Sequence, residues 1–210
     1  MVIFMGKNFY ELEHILSSAF AHIWFLFGII FITLVINMLN WASGKYLYLL
    51  GLRPRNILGL IGIIFSPILH GNFNHLFFNS IPFFVLSLVL LGIDKSLYIF
   101  VTLAINLSEC LLVWLFGRNR IHIGASGIVS GYFGFILGLA YFQPTVITVI
   151  IAFVMFYYFG AILLGLFPSN DNTSWESHLS GFISGVILVY LFKYSIYLQN
   201  CFYKFQQFCM

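Results

Sequence analysis

Charge is what this sequence has least of. Nine Lys or Arg and six Asp or Glu make up only 7% of its 210 residues. A soluble domain usually carries about a quarter charged residues, so a water-facing skin is excluded for most of the surface. The few cations are scattered, with no basic stripe of the kind that grips nucleic acid. Three cysteines, Cys110, Cys201 and Cys209, are too few and too widely placed for a disulfide framework or a zinc site. There is no His-x-x-x-His pair, and no acid shares a face with the histidines, which leaves no metal site to expect. There is no long internal repeat of the sort that builds inverted-repeat transporters, and no low-complexity segment. The opening residues do not read as a removable signal, because Met1 to Met5 is too short and Lys7, Glu11 and Glu13 follow.

What fills the chain instead is apolar. Hydrophobic residues reach 61% and aromatic ones 20%, with 26 phenylalanines and a mean hydropathy of +1.02. The solvent for such a surface is lipid. A lead-in over 1–18 is expected to precede a membrane domain over 19–192, followed by an interfacial tail over 193–210 that carries two of the cysteines. Six spans are predicted, at about 19–39, 75–91, 97–116, 126–142, 145–166 and 176–192, since each crossing needs roughly 20 residues. The long connection over 40–73 holds an apolar run, Ile57–Leu69, broken by Gly59, Gly62 and Pro67. It reads as a structured loop at the bilayer surface, with a poorly formed extra span as the alternative. Lys and Arg divide almost evenly between the two sides, so charge bias does not orient the bundle.

Three polar constellations stand out from this background. In Ile123-Gly124-Ala125-Ser126-Gly127 a lone serine sits between glycines at the head of an apolar helix. Small neighbours let a substrate backbone approach a hydroxyl, and a helix start offers unpaired N–H groups and the positive end of the dipole. Taken alone, Ser126 reads first as a simple N-cap, since such serines are common helix starters. Behind it Gly127, Gly131, Gly134 and Gly138 recur on one helical face, which lets another helix come close. In the last span His178, Gly181 and Gly185 share a face, so the two glycine stripes can meet and bring His178, a ready base at neutral pH, towards Ser126. In the second span His75 and Asn79 stand at i and i+4 and project from one face. Both can donate hydrogen bonds to an oxyanion beside the Ser126 N–H. His70 lies off that face and is expected to tie down the loop. Glu109, an isolated acid in the middle of the third span, is expected to be structural: paired internally, protonated or facing water.

Gly124-Ala-Ser126-Gly127, with His178 and Gly181 downstream and His70-x4-His75-x3-Asn79 upstream, resembles the rhomboid family of intramembrane serine proteases. Arg53-Pro54-Arg55 followed by Gly59-Leu-Ile-Gly62 resembles its bacterial members. The resemblance covers about residues 19–192. It implies an all-α bundle of six transmembrane helices with a long structured first loop. It also implies a Ser126–His178 dyad with no third acid and an oxyanion site made by His75, Asn79 and the Ser126 N–H. Gly124, Gly127, Gly131, Gly181, Gly185 and His70 would be structural near that site. No cofactor or metal is implied. Membrane lipid and transmembrane protein substrates are the implied partners, in a bacterial inner membrane, with substrates entering beside the fifth span and the loop at 169–175 acting as a cap. Two features depart from the family pattern. Ser130 stands where many members carry a tyrosine stacked on the base, and the Trp-Arg pair of the first loop is missing. A rhomboid-like binder without activity and a small channel or transporter using His70, His75 and Glu109 are the rival readings.

Overall fold

The computed structural model describes residues 2–168 and 174–208, with side chains described over 9–168 and 174–194. Apart from an isolated bridge between Leu52 and His122, the regular structure among the described residues is all helical, joined by loops such as 51–57, 66–72 and 117–125. The helices are α1 (Val2–Ala21), α2 (Ile23–Ala42), α3 (Gly62–Phe65), α4 (Phe73–Ile93), α5 (Lys95–Phe116), α6 (Ser126–Phe142), α7 (Val146–Phe159) and α8 (Trp175–Phe208). Tight 3-10 turns cover Tyr46–Leu50, Leu58–Ile61 and Gly160–Leu166.

Five helices have the length and apolarity to cross a bilayer: Ile23–Ala42, Phe73–Ile93, Lys95–Phe116, Val146–Leu166 and Trp175–Tyr194. The outward faces carry large apolar side chains such as Trp24, Phe31, Phe78, Phe153 and Tyr157, all exposed. α6 is shorter, at 17 residues, yet eleven of these are buried. A helix that is apolar on every side belongs inside the protein. α6 is therefore the helix the others surround, and its rings Tyr132, Phe133 and Phe135 are almost wholly buried in the largest hydrophobic cluster.

The glycine stripes explain how α6 and α8 meet, and this pairing is the most extensive in the molecule. A Cβ added to Gly181 would strike the Gly127 carbonyl oxygen, and one on Gly185 would strike that of Gly131. The two backbones touch where any side chain would keep them apart. α5 completes the packing, with Ile105 filling the space beside Gly131.

Helix starts are marked by polar caps. The Asn72 side chain accepts the His75 N–H at 2.8 Å, Asp94 accepts that of Leu97 at 2.7 Å, and Thr145 and Thr148 form a reciprocal capping box. The structure revises three expected boundaries. The lead-in is not merely polar: it is the helix α1, docked on the far end of α4, where Ser18 donates to the Leu91 carbonyl at 2.9 Å and Gly92 lies against the Ile15 carbonyl. The first apolar helix starts at Ile23 rather than 19, because the chain turns at His22, whose Nδ1 meets the Ser18 carbonyl of α1 at 2.8 Å. The last helix does not break near 193; α8 runs on to Phe208, since nothing between Lys193 and Phe208 is a glycine or proline that would stop it. The side chain of Cys201 lies outside the described ones, as does Cys209 altogether.

Candidate active site

The segment that leads into Ser126 is held by the connection between α2 and α4. Leu52 and His122 exchange two backbone hydrogen bonds, of 3.0 and 2.8 Å, and the Gly124 N–H donates to the Ser66 carbonyl at 2.8 Å. The Ala125 N–H donates to Nε2 of His70 at 3.4 Å. His70 can accept there because its Nδ1 faces the Ile68 carbonyl at 3.1 Å and so carries the proton. Its own main chain is fixed in turn: its N–H donates to Asn37 Oδ1 at 2.7 Å, and its carbonyl accepts from Trp41 and from Tyr48. Burial, reinforced by the neighbouring His75, pushes the His70 pKa down to about 4, so the ring is neutral and keeps its acceptor.

Gly124 makes the next contact. It sits at φ +116, in the left-handed region, and a Cβ there would press on the His75 ring, 2.9 Å from Nε2, and approach Nδ2 of Asn79 at 3.5 Å. Only a glycine lets this turn lie against both side chains. The Gly71 N–H donates to Nδ1 of His75 at 3.3 Å. The His75 proton therefore sits on Nε2, the nitrogen that faces the Gly124 turn. Nδ2 of Asn79 is buried and has no hydrogen-bond partner among the described residues. Nε2 of His75 and Nδ2 of Asn79 thus both lie against the Gly124 turn, and leaving a buried donor such as Nδ2 without a partner is costly.

Ser126 is the first residue of α6, and Ala125 occupies the cap position. The serine is therefore not an N-cap, and its hydroxyl is not spent on the helix end. His178 sits one turn into α8. Its ring lies against Gly165, where a Cβ would collide with Nδ1, and Nδ1 makes no hydrogen bond of ordinary geometry to a described residue. Ser126, His178, His75 and Asn79 all line one cavity of about 620 Å³. It opens where α4, α6 and α8 begin, so three helix starts, each with its positive dipole end, surround it.

The sequence match decides the family. The Rhomboid domain profile covers residues 58–195. The chain belongs to the rhomboid family. It is also 34% identical over 166 residues to uncharacterized proteins of Mycobacterium bovis and Mycobacterium tuberculosis, spanning 75% of this chain and 69% of theirs. An uncharacterized protein of Mycobacterium leprae is 36% identical over 141 residues, 63% of this chain and 56% of its own length. With its apolar helices, this rhomboid-family chain is an integral membrane protein.

Several residues of this rhomboid-family site escaped the sequence reading. His122 and Arg120 line the cavity, and no sequence motif singled them out. His122 is 3% exposed. Its Nε2–H donates to the Arg118 carbonyl at 3.0 Å, and Nδ1 meets the Ser174 hydroxyl at 2.6 Å. Burial pushes its pKa below the usual histidine value. Glu176 does not reach His178; it binds Arg118 through Nε and through Nη2, the latter at 3.0 Å, and Arg120 at 3.5 Å. That contact with Glu176 raises the Arg118 pKa. The pair staples the loop after α5 to the start of α8, and no pattern in the sequence linked segments 58 residues apart. Gly165 was likewise invisible, being one glycine in an apolar run.

At the position usually taken by the stacking tyrosine, Ser130 is fully buried, and its Oγ has no partner among the described residues. Tyr132 turns the other way and bonds to Thr102 at 2.6 Å. The His178 ring is therefore seated by the bare backbone of Gly165 rather than by an aromatic partner on α6. Of the expected cap at 169–175, residues 169–173 lie outside those described; Ser174 precedes α8 and Trp175 begins it, with Trp175 beneath the Arg118 guanidinium at 5.9 Å.

Proposed function

We propose that this rhomboid-family chain is an intramembrane serine endopeptidase that cleaves transmembrane segments of membrane proteins. The observation that carries the reading is the meeting of Ser126, His178, His75 and Asn79, from three helices, in one cavity of an otherwise apolar helix bundle. Polar groups are costly there and are kept where they act. α6, at 17 residues, is about 26 Å long, enough for a sixth crossing inside the ring of the other five. The connection from 43 to 72 is then the long first loop that holds the nucleophile segment.

In this reading Ser126 Oγ attacks the scissile carbonyl. His178 takes the serine proton on Nε2, because Nδ1 is turned into Gly165. The developing oxyanion meets Nε2–H of His75, Nδ2–H of Asn79 and the N–H of Ser126, and each such donor is typically worth ~3 kcal/mol in the transition state. His178 returns the proton to the leaving amine, and water drawn from the cavity then releases the acyl group by the same steps in reverse. The substrates are membrane proteins whose spanning segments reach the cavity from lipid, and the setting is a bacterial inner membrane.

The test is cleavage of a model transmembrane substrate in proteoliposomes. Ser126→Ala should abolish it while expression and thermal unfolding stay close to the parent, and a fluorophosphonate probe should label the parent at Ser126 alone. Cleavage by Ser126→Ala would refute the assignment.

A further inference from the structure

Asn37 is a buried amide on α2 that the reaction above does not use. α2 is one of the helices long and apolar enough to cross a bilayer, and only Leu26, Asn37 and Asn40 are buried on it. An amide in such a helix is expensive and needs partners. Asn40 serves the turn that follows α2, accepting the Leu47 N–H at 2.9 Å. Asn37 reaches further. It is wholly buried, and its amide bonds three main-chain groups. Nδ2 donates to the Thr33 carbonyl at 2.8 Å and to the Ile68 carbonyl at 2.7 Å, while Oδ1 accepts the His70 N–H at 2.7 Å. The partners fix which end is which, because a carbonyl only accepts and an N–H only donates. The side chain therefore pairs with residues 68 and 70 as a neighbouring peptide group would, through one C=O and one N–H.

The Ile68 carbonyl is where this clamp meets the site. It accepts from Asn37 Nδ2 and also faces Nδ1 of His70 at 3.1 Å. The proton of the neutral ring therefore sits on Nδ1, and Nε2 is left as an acceptor. Nε2 is the atom to which the Ala125 N–H donates, at 3.4 Å. A proton on Nε2 instead would set two N–H groups against each other. Hydrogen bonds thus run without a gap from α2 to the residue before Ser126, through Asn37, the Ile68 carbonyl, the His70 ring and the Ala125 N–H. The other supports of this segment act at a different atom. Nε1 of Trp41 and the Tyr48 hydroxyl bond to the His70 carbonyl, at 2.9 and 2.7 Å.

We propose that Asn37 is a positioning residue for Ser126: by fixing the Ile68 carbonyl it selects the His70 tautomer that accepts from Ala125, and so holds the turn on which the serine stands. Asn37 itself touches no reacting atom. With its amide removed, the Ile68 carbonyl loses the bond that aims it at Nδ1, and the ring can carry its proton on either nitrogen. The form with Nε2–H pushes the Ala125 N–H away. Ala125 is the cap residue of α6, so a shift there displaces Ser126 from His178, and the His70 ring also packs edge-on against His75. A displacement of about 1 Å at a reacting group can cost on the order of a hundredfold in rate.

The tautomer can be read directly, by nitrogen NMR of the His70 ring in lipid nanodiscs at neutral pH, with His70→Gln to assign the signals. That arm stands without the protease reading; the kinetic arm, by substrate turnover and the rate of fluorophosphonate labelling, rests on it. The parent should show a protonated Nδ1 and a bare Nε2. Asn37→Leu keeps the volume and removes all three bonds. Asn37→Ser can bond back to the Thr33 carbonyl on its own helix and carries the test if the Leu variant does not fold. Either variant should show the Nε2–H form mixed in, and should lose at least about tenfold in kcat and in labelling rate, with KM within about twofold of the parent. Trp41→Phe is the structural control. It removes a bond to the His70 carbonyl, so it should lower Tm while leaving the ring signals unchanged and kcat within about threefold. A parent with its proton on Nε2 overturns the proposal. So do Asn37 variants that keep the parent tautomer, variants that change it without loss of kcat, or a Trp41→Phe variant that changes it as far as they do. A parent that neither cleaves nor labels would sink the protease reading while leaving the NMR to decide whether Asn37 sets the His70 tautomer.

Discussion

His70 illustrates how a single side chain can brace the cavity without being one of its lining residues. It supplies the acceptor for the Ala125 N–H, one residue before Ser126, and its ring packs edge-on against His75 at 5.1 Å between centroids. Both contacts need an uncharged imidazole. Its pKa is held down at about 4 by burial first and by His75 second, against an ordinary value of 6.5. The sign of the linkage follows. Between about pH 6.5 and 4 the unfolded chain binds a proton that the folded chain refuses, so stability falls as pH falls through that window. A shift of this size corresponds to roughly 3 kcal/mol at the acid end. Thermal unfolding in detergent should therefore show a clear drop in Tm from pH 7 to pH 4.5. In His70→Gln, which cannot titrate, the drop should be smaller although the Tm at pH 7 is already lower. An equal pH slope in the two proteins would show that His70 is not the group responsible.

At the scale of elements, the α6–α8 contact is the joint that sets Ser126 and His178 beside one cavity, and it is made of missing side chains. Gly185→Val would drive a branched side chain into the Gly131 carbonyl and the Phe135 main chain. Overpacking of this kind costs typically about 1–3 kcal/mol where the neighbours can shift, and backbone atoms shift least. The variant should lower Tm and also slow fluorophosphonate labelling, because separating the helices moves His178 away from Ser126. Gly28→Ala is the matched control, as an added Cβ there meets nothing within 4 Å, and it should leave both measurements unchanged. The stripes were legible in the sequence because glycine at helical spacing has one physical meaning in an apolar helix: a close neighbour. Spacing of four residues likewise put His75 and Asn79 on one face of their helix. It could not find Arg118 and Glu176, whose partnership joins two turns through space, nor the seat of His178 at Gly165. A glycine chosen for one ring contact leaves no periodic trace. The extension of α8 to Phe208 was missed for a different reason. The aromatic and polar mixture after Lys193 suggested a separate surface segment, but nothing in it stops a helix.

For the whole molecule, the two ends of the bundle carry different duties. The cavity lies where α4, α6 and α8 begin, and α1 grips α4 where it finishes. α4 has 21 residues and so extends for about 31 Å, the thickness of a bilayer's hydrocarbon core. An anchor that far from Ser126 can alter the site only by moving α4 as a rigid rod. The anchor itself is a close approach: Gly92 meets the Ile15 carbonyl at 2.7 Å from an added Cβ, and the Ser18 hydroxyl caps the Leu91 carbonyl. Gly92→Leu should therefore lift α1 off the bundle. The Tm should fall, and protease digestion should cut between α1 and α2 near His22 sooner than in the parent. The turnover of each molecule that remains folded should stay within about twofold, since His75 and Asn79 are held at the opposite end by Asn72, Gly71 and Gly124 rather than by α1. A variant that kept its Tm but lost kcat would mean that the far end of α4 is coupled to the cavity, and that the two ends are not independent.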